Sequence, residues 1–171
     1  TFTVGITTCY GDDSILDTVK SIRASRGVGK FRFVIIADRN PIKPHIKKAL
    51  DDYGVELIEN RIESGQIKKK KQILDLCKSD IIIYSQDDVL FEPYSISKIL
   101  KEFEENSRST FVCINNQPVK YDSLFEGIVT VGTKIAYKIG RYWNDGNNYL
   151  TVVARCEAFR TEYIKKNFNK I

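Results

Sequence analysis

The stretch Tyr84-Ser85-Gln86-Asp87-Asp88-Val89-Leu90-Phe91-Glu92-Pro93 carries the strongest chemical signal in the chain. Two adjacent carboxylates follow the apolar run Ile81-Ile82-Ile83. At the tip of a buried strand, a carboxylate reaches the crevice beside the sheet edge. Hard divalent cations such as Mn2+ or Mg2+ take oxygen ligands and bridge one or two carboxylates to phosphate oxygens. A cation held there neutralises charge on a departing diphosphate. The same two acids also suit a solvated turn that caps a helix starting at Pro93, and the acids alone do not choose between these readings.

Those side chains need a scaffold, and the apolar pattern supplies one. Phe2 to Thr8 reads as a strand, broken by Tyr10-Gly11-Asp12-Asp13. Asp13 is placed to cap a helix through Ile15, Leu16, Val19 and Ile22, which recur at helical spacing. Phe31 to Ala37 is a second strand, apolar enough to be covered on both faces. Pro44 falls in the first turn of a helix through Ile46, Ala49 and Leu50, and Gly54 stops it. Val55 to Glu59 is a third strand, and Gly65 opens a helix through Ile67, Ile73, Leu74 and Cys77. Asp80 to Ser85 is a fourth strand, and Pro93 starts a helix through Ile96, Ile99, Leu100 and Phe103. Thr110 to Asn115 is a fifth strand.

This alternation predicts an α/β fold with a largely parallel sheet. Ligands of such sheets bind beyond the carboxyl ends of the strands. The polar loops there are Thr8 to Asp13, Asp38 to Asn40 and Gln86 to Asp88. After Pro118 the pattern changes. Phe125, Ile128, Ile135, Ile139 and Tyr142 predict an amphipathic helix over 122–142, against the cost of Gly127, Gly132 and Gly140. Trp143 to Asn148 is a loop, Leu150 to Phe159 a strand, and Thr161 begins a last helix.

Bulk properties bound the remaining choices. The 171 residues suit one domain, and 42% hydrophobic with 29% charged residues is the balance of a soluble globular protein. The net charge of +5 suits an anionic partner: a nucleoside diphosphate, a membrane surface or nucleic acid. Cys9, Cys77, Cys113 and Cys156 form no CxxC pair or zinc pattern, so buried free thiols in a reducing cytoplasm are expected. No apolar run is long enough to span a bilayer, and no signal peptide is visible. The chain lacks methionine and begins inside its first strand, so it reads as a segment of a longer protein.

Nearly the whole chain, in order, resembles family 2 glycosyltransferases of the GT-A fold. Val4 to Ile22 is similar to the family's opening strand, turn and first helix, with Thr8-Cys9-Tyr10-Gly11 at the turn. Phe33 to Asn40 resembles the second strand and its acidic end, and Gly65 to Leu74 the Gly-x-x-x-x-Arg-Asn segment, with Lys70 at the arginine. Ile81 to Pro93 resembles the strand, Asp-x-Asp motif and proline that follow, with Gln86 in place of the first acid and Asp88 as the second. Val152 to Ile164 resembles the later acceptor-side strand and helix start.

The resemblance implies a three-layer, Rossmann-like GT-A domain over 1–171, with 1–117 binding the donor and 118–171 starting the acceptor side. It implies an inverting hexosyltransferase-like transfer from a nucleoside-diphosphate sugar, UDP expected, to the hydroxyl of a glycan, lipid or protein. Asp88 is then the ligand of Mn2+ or Mg2+. Thr8, Tyr10, Asp38, Lys70, Gln86 and Asp87 line the nucleotide sugar, with Tyr10 and Asp38 at the base and Lys70 at a phosphate. The family's catalytic base is a carboxylate beyond a segment like Phe159 to Lys166, so here it is expected past Ile171, with Asp145 as the weaker candidate. A cytoplasmic setting is expected, with room for peripheral attachment to a membrane.

Each residue also has a plainer role. Tyr10 suits a turn-flanking core aromatic, Asp38 a turn before Pro41, and Lys68, Lys69 and Lys71 a solvated helix face. His45 is expected to have no role, and Trp143 and Asp145 sit in a loop that meets either an acceptor or nothing. A nucleotidyltransferase of similar fold wants a glycine-rich loop after the first strand, and Thr7 to Asp13 has one glycine. A phosphoacceptor domain fits Asp12-Asp13 but not the acids after the fourth strand. No nucleic-acid partner is expected from one lysine run without base-stacking aromatics. A non-catalytic binding domain stays open because of Gln86.

Overall fold

The computed structural model describes residues 1–9, 11–113 and 156–168. Strand β1 (Phe2–Thr8) is buried along its full length, which requires a partner on each edge and a layer on each face. It pairs in parallel with β2 (Arg32–Ala37), from Thr3 opposite Arg32 to Thr8 opposite Ala37. Its other edge pairs in parallel with β4 (Ile81–Gln86), from Phe2 opposite Ile81 to Thr7 opposite Gln86. Strand β3 (Glu56–Glu59) extends the parallel part beyond β2. Strand β6 (Cys156–Arg160) runs antiparallel to β4, and β5 (Phe111–Cys113) antiparallel to β6. The order is β3-β2-β1-β4-β6-β5.

The chain therefore winds outward from β1 to β3, then crosses back to β4 on the other side of β1. The carboxyl ends of β1 and β4 form the point where the winding reverses, and open α/β sheets leave a ligand crevice there.

Side-chain alternation sorts the strands between two cores. Phe33, Ile35 and Ala37 of β2, with Ile81 and Ile83 of β4, face one way. They meet Ile15, Val19 and Ile22 of α1 (Ser14–Arg23), Ile46 and Leu50 of α2 (Pro44–Asp52), and Ile96, Ile99 and Phe103 of α4 (Ser95–Glu105). Val34, Ile36, Ile82 and Tyr84 face the other way, onto Ile73 and Leu74 of α3 (Gly65–Leu76) and Ile164 of α5 (Thr161–Asn167). This is the three-layer α/β arrangement. Helix α3 approaches β1 so closely that a Cβ on Gly5 would lie 2.5 Å from Ile73 Cγ2.

Most sequence-predicted elements are present, with shifted ends. The helix expected from Pro93 begins at Ser95, and the Pro93 carbonyl instead accepts the Arg26 amide at 2.6 Å. The fourth strand runs one residue further than expected, to Gln86. Asp13 precedes α1 but its side chain makes no capping bond; Asp12 Oδ1 accepts the Ser14 amide at 3.1 Å. Of the strand expected over 150–159, Cys156–Arg160 is described, while the helix expected over 122–142 lies outside the described residues. Cys9, Cys77 and Cys156 are free thiols. No helix among the described residues is long and apolar enough to cross a membrane.

Candidate functional site

Thr8 ends β1 at the reversal point, and although it is buried it is bonded in four directions. Its carbonyl accepts the Asp38 amide at 3.2 Å and the Lys69 ammonium at 2.8 Å. Its hydroxyl accepts the Gly11 amide at 3.3 Å and donates to Asp87 Oδ2. The Thr18 hydroxyl of α1 donates to the Asp87 carbonyl at 2.8 Å. Thr8 thus joins the ends of β1, β2 and β4, and Thr18 ties the turn after β4 to the first helix.

The two acids after β4 divide the turn between them. Asp87 is half-buried and directed at Thr8, while Asp88 is exposed. No group of three or more His, Cys, Asp or Glu among the described residues could hold a metal ion. The donor set therefore fits a hard cation only in the mode where one or two carboxylates share it with phosphate oxygens and water. Gln86 closes β4, half-buried, where it can offer an amide but no charge.

Asp38 sits at the end of β2 with no exposed side-chain surface. Its Oδ2 accepts the Ser64 amide at 2.8 Å and the Ser64 hydroxyl at 3.0 Å. Its Oδ1 accepts the Lys69 ammonium at 2.6 Å. Burial pushes this carboxyl up, but the Lys69 and Ser64 bonds outweigh that and bring it down to about 2. Against burial, which lowers it, the bonds to Asp38 and Cys9 raise the Lys69 ammonium above its ordinary range. The adjacent Arg39 takes φ 71°, a left-handed backbone uncommon outside glycine, and the Asn40 amide closes the turn onto the Asp38 carbonyl at 2.9 Å.

Lys69 corrects the sequence reading, which put it on a solvated face. Its side chain is 1% exposed, and its ammonium also lies 2.8 Å from the Thr8 carbonyl and 2.9 Å from Cys9 Sγ. The signal was present in the spacing: Lys69 lies four residues before Ile73, so both occupy the inward face of α3. A lysine can enter such a face when an acid waits there, and Asp38 does. Lys70, expected at a phosphate, is half-buried with its ammonium 2.8 Å from Glu157 Oε2 and 5.5 Å from the centre of the Tyr84 ring. Glu157 went unnoticed in the sequence because its strand partner, Tyr84, lies over seventy residues away.

His45 also has a partner. Its Nε2 is 2.7 Å from Asp13 Oδ1, and that bond, with Lys43 nearby, holds the Asp13 carboxyl below its usual range. Tyr10, Trp143, Asp145 and Ile171 lie outside the described residues.

Comparisons with known proteins agree on the fold. The profile of the family described as Glycosyl transferase family 2 matches residues 3–168. No curated protein matches by sequence. S. aureus TarS 1-349, solved in complex with UDP-GlcNAc, is similar at 14% identity and TM-score 0.68, covering 98% of this chain and 47% of that one. The mannosyltransferase PcManGT from Pyrobaculum calidifontis, solved with GDP-Man and Mn2+, is similar at 13% identity and TM-score 0.63, covering 96% and 46%. Glucosyl-3-phosphoglycerate synthase from Mycobacterium tuberculosis, solved with Mn2+, UDP and phosphoglyceric acid, is similar at 12% identity and TM-score 0.64, covering 96% and 57%. This chain spans about half the length of these structures.

Proposed function

The chain belongs to glycosyl transferase family 2, and from that premise we propose that it binds a nucleoside-diphosphate sugar, a UDP-sugar, and passes the sugar to an acceptor hydroxyl. The observation that carries this reading is the convergence of Asp38, Thr8, Asp87 and Asp88 at the carboxyl ends of β2, β1 and β4. The hydrogen bonds through Thr8 and Lys69 join the first three of them.

The placement supports the following roles. Asp88, exposed after β4, is the residue that would hold Mn2+ or Mg2+ beside the diphosphate. A bound cation supplies Lewis-acid stabilisation of the leaving diphosphate. Asp87 orients the acidic turn through Thr8, and Gln86 hydrogen-bonds the ribose or a water beside it. Lys70 shares its ammonium between Glu157 and a phosphate oxygen. The loop that Asp38 anchors faces the base; the enclosed Asp38 carboxylate acts through that loop.

Transfer is inverting. The acceptor oxygen attacks the anomeric carbon in line, the bond from that carbon to the diphosphate oxygen breaks, and the nucleoside diphosphate leaves with the electron pair. The acceptor proton passes to a carboxylate base, for which Asp145 is the weaker of the two sequence expectations. General-base help of this kind is worth roughly 10²–10⁴ in rate. The acceptor is a hydroxyl of a glycan, lipid or protein. The free thiols at Cys9, Cys77 and Cys156 suit a reducing, cytoplasmic setting. A non-catalytic donor-binding domain is the second reading, favoured by Gln86, which removes one acid from the metal side. Incubation with UDP-sugars and measurement of UDP release on adding simple acceptors separates the two: release stimulated by acceptor supports transfer, and tight UDP binding without any turnover supports the second.

A further inference from the structure

Lys69 is fully buried, and the transfer chemistry leaves it without a task. Lysine is almost never fully buried unless paired. Here the ammonium meets three partners from three places: Asp38 Oδ1 at the end of β2, the Thr8 carbonyl at the end of β1, and Cys9 Sγ in the following loop. A lysine ammonium has three protons to donate, so its bonding capacity is filled. Stability alone is a weak reason for this arrangement, because apolar residues of similar volume often replace a buried ion pair without loss. What an apolar pair lacks is direction. The ammonium specifies where two strand ends and one loop stand relative to helix α3.

We propose that Lys69 is a positioning residue for donor binding, fixing through Asp38 and Thr8 the rim that receives the nucleotide and the turn that carries Asp88. The proposal rests on the nucleotide-sugar reading above. Two paths lead from the ammonium. The first runs through Asp38, whose other oxygen holds the Ser64 amide and hydroxyl and so sets the loop that enters α3. Gly65, at φ 76°, makes the turn from that loop into the helix directly after Ser64. The second path runs through Thr8. The ammonium holds its carbonyl, and its hydroxyl bonds Asp87, the neighbour of Asp88. Displacing Lys69 therefore disturbs the base side and the metal side together, although its own side chain offers no surface to the ligand.

The test is titration calorimetry of UDP, with and without Mn2+, on the native protein, Lys69→Met and the charge-neutral pair Asp38→Asn/Lys69→Met. The single variant leaves an unpaired carboxylate and risks unfolding, so the double variant carries the decision. It is expected to melt close to the native protein yet bind UDP at least about tenfold more weakly, since small misplacements of binding groups carry large penalties. The ratio of affinities with and without Mn2+ is expected to fall as well, through Thr8 and Asp87. A double variant that melts normally and binds UDP within about twofold of native overturns the proposal. So does one too unstable to fold, which would make the pair a stability element and nothing more. Native protein that binds neither UDP nor GDP would instead remove the nucleotide reading on which the proposal rests.

Discussion

Replacing Lys69 by methionine isolates the energetics of the buried pair at neutral pH. The two charged groups lie 2.6 Å apart, with side chains 1% and 0% exposed. Methionine fills most of the stem's volume but leaves the Asp38 carboxylate with only the Ser64 donors. Breaking a buried pair from one side costs about 3–5 kcal/mol, whereas removing both charges together is often close to neutral. Urea unfolding at pH 7 should therefore show Lys69→Met losing about 3–5 kcal/mol and Asp38→Asn/Lys69→Met losing much less. The sign of the pH dependence is a second check. In the native protein the Asp38 carboxyl lies at about 2, below its ordinary 3.8. Its contribution of about 2 kcal/mol is therefore present above pH 4 and lost as pH falls toward 2. In Lys69→Met the ammonium is gone while burial still pushes the carboxyl up, so the deficit should narrow as pH drops from 7 to 3. A loss below about 1 kcal/mol, or a deficit unchanged across that range, would refute the claim that this pair is buried and coupled.

Three further outcomes follow from the packing and the polar network. Gly5→Ala should destabilise by about 1–3 kcal/mol in urea unfolding, because the new methyl would meet Ile73 Cγ2 at 2.5 Å; unchanged stability would mean α3 sits further from β1. Thr8→Val keeps the shape but removes the hydroxyl that holds Asp87, so calorimetry should show a larger loss of UDP affinity with Mn2+ than without, and equal losses would detach Thr8 from the acidic turn. Glu157→Gln releases Lys70 from its partner at 2.8 Å, and UDP should then bind about two- to fivefold more tightly, the worth of a partly screened pair; weaker binding would show that Glu157 holds Lys70 in place for the donor.

The layers were legible because apolar spacing encodes them directly. Phe33, Ile35 and Ala37 alternate with Val34 and Ile36 along β2, and a strand that apolar has to be covered on both faces. The acids after β4 were legible for the same reason: a carboxylate after Ile81-Ile82-Ile83 has to leave the core. The pairings across the site were not. Lys69 sits among Lys68, Lys70 and Lys71, and composition assigns all four to solvent; only its register with Ile73, joined to a buried acid from another strand, moves it inside. The join of Lys70 to Glu157 depends on β6 entering the sheet beside β4 in antiparallel register, a long-range pairing that no local pattern announces. Asp38 could be read from the sequence as a strand-end acid, but its enclosure by Ser64 and Lys69 needed the loop before α3 to fold back onto it.

The central claim is a donor site whose metal is held by Asp88 and shared with the donor's diphosphate. Titration of UDP into the native protein and Asp88→Ala, each with and without Mn2+, tests it most directly. The account predicts that Mn2+ strengthens UDP binding to the native protein, that Mn2+ alone binds weakly, and that Asp88→Ala abolishes most of the metal-linked gain while leaving metal-free binding nearly intact. An Asp88→Ala protein whose UDP affinity still rises with Mn2+ as the native one's does would contradict it.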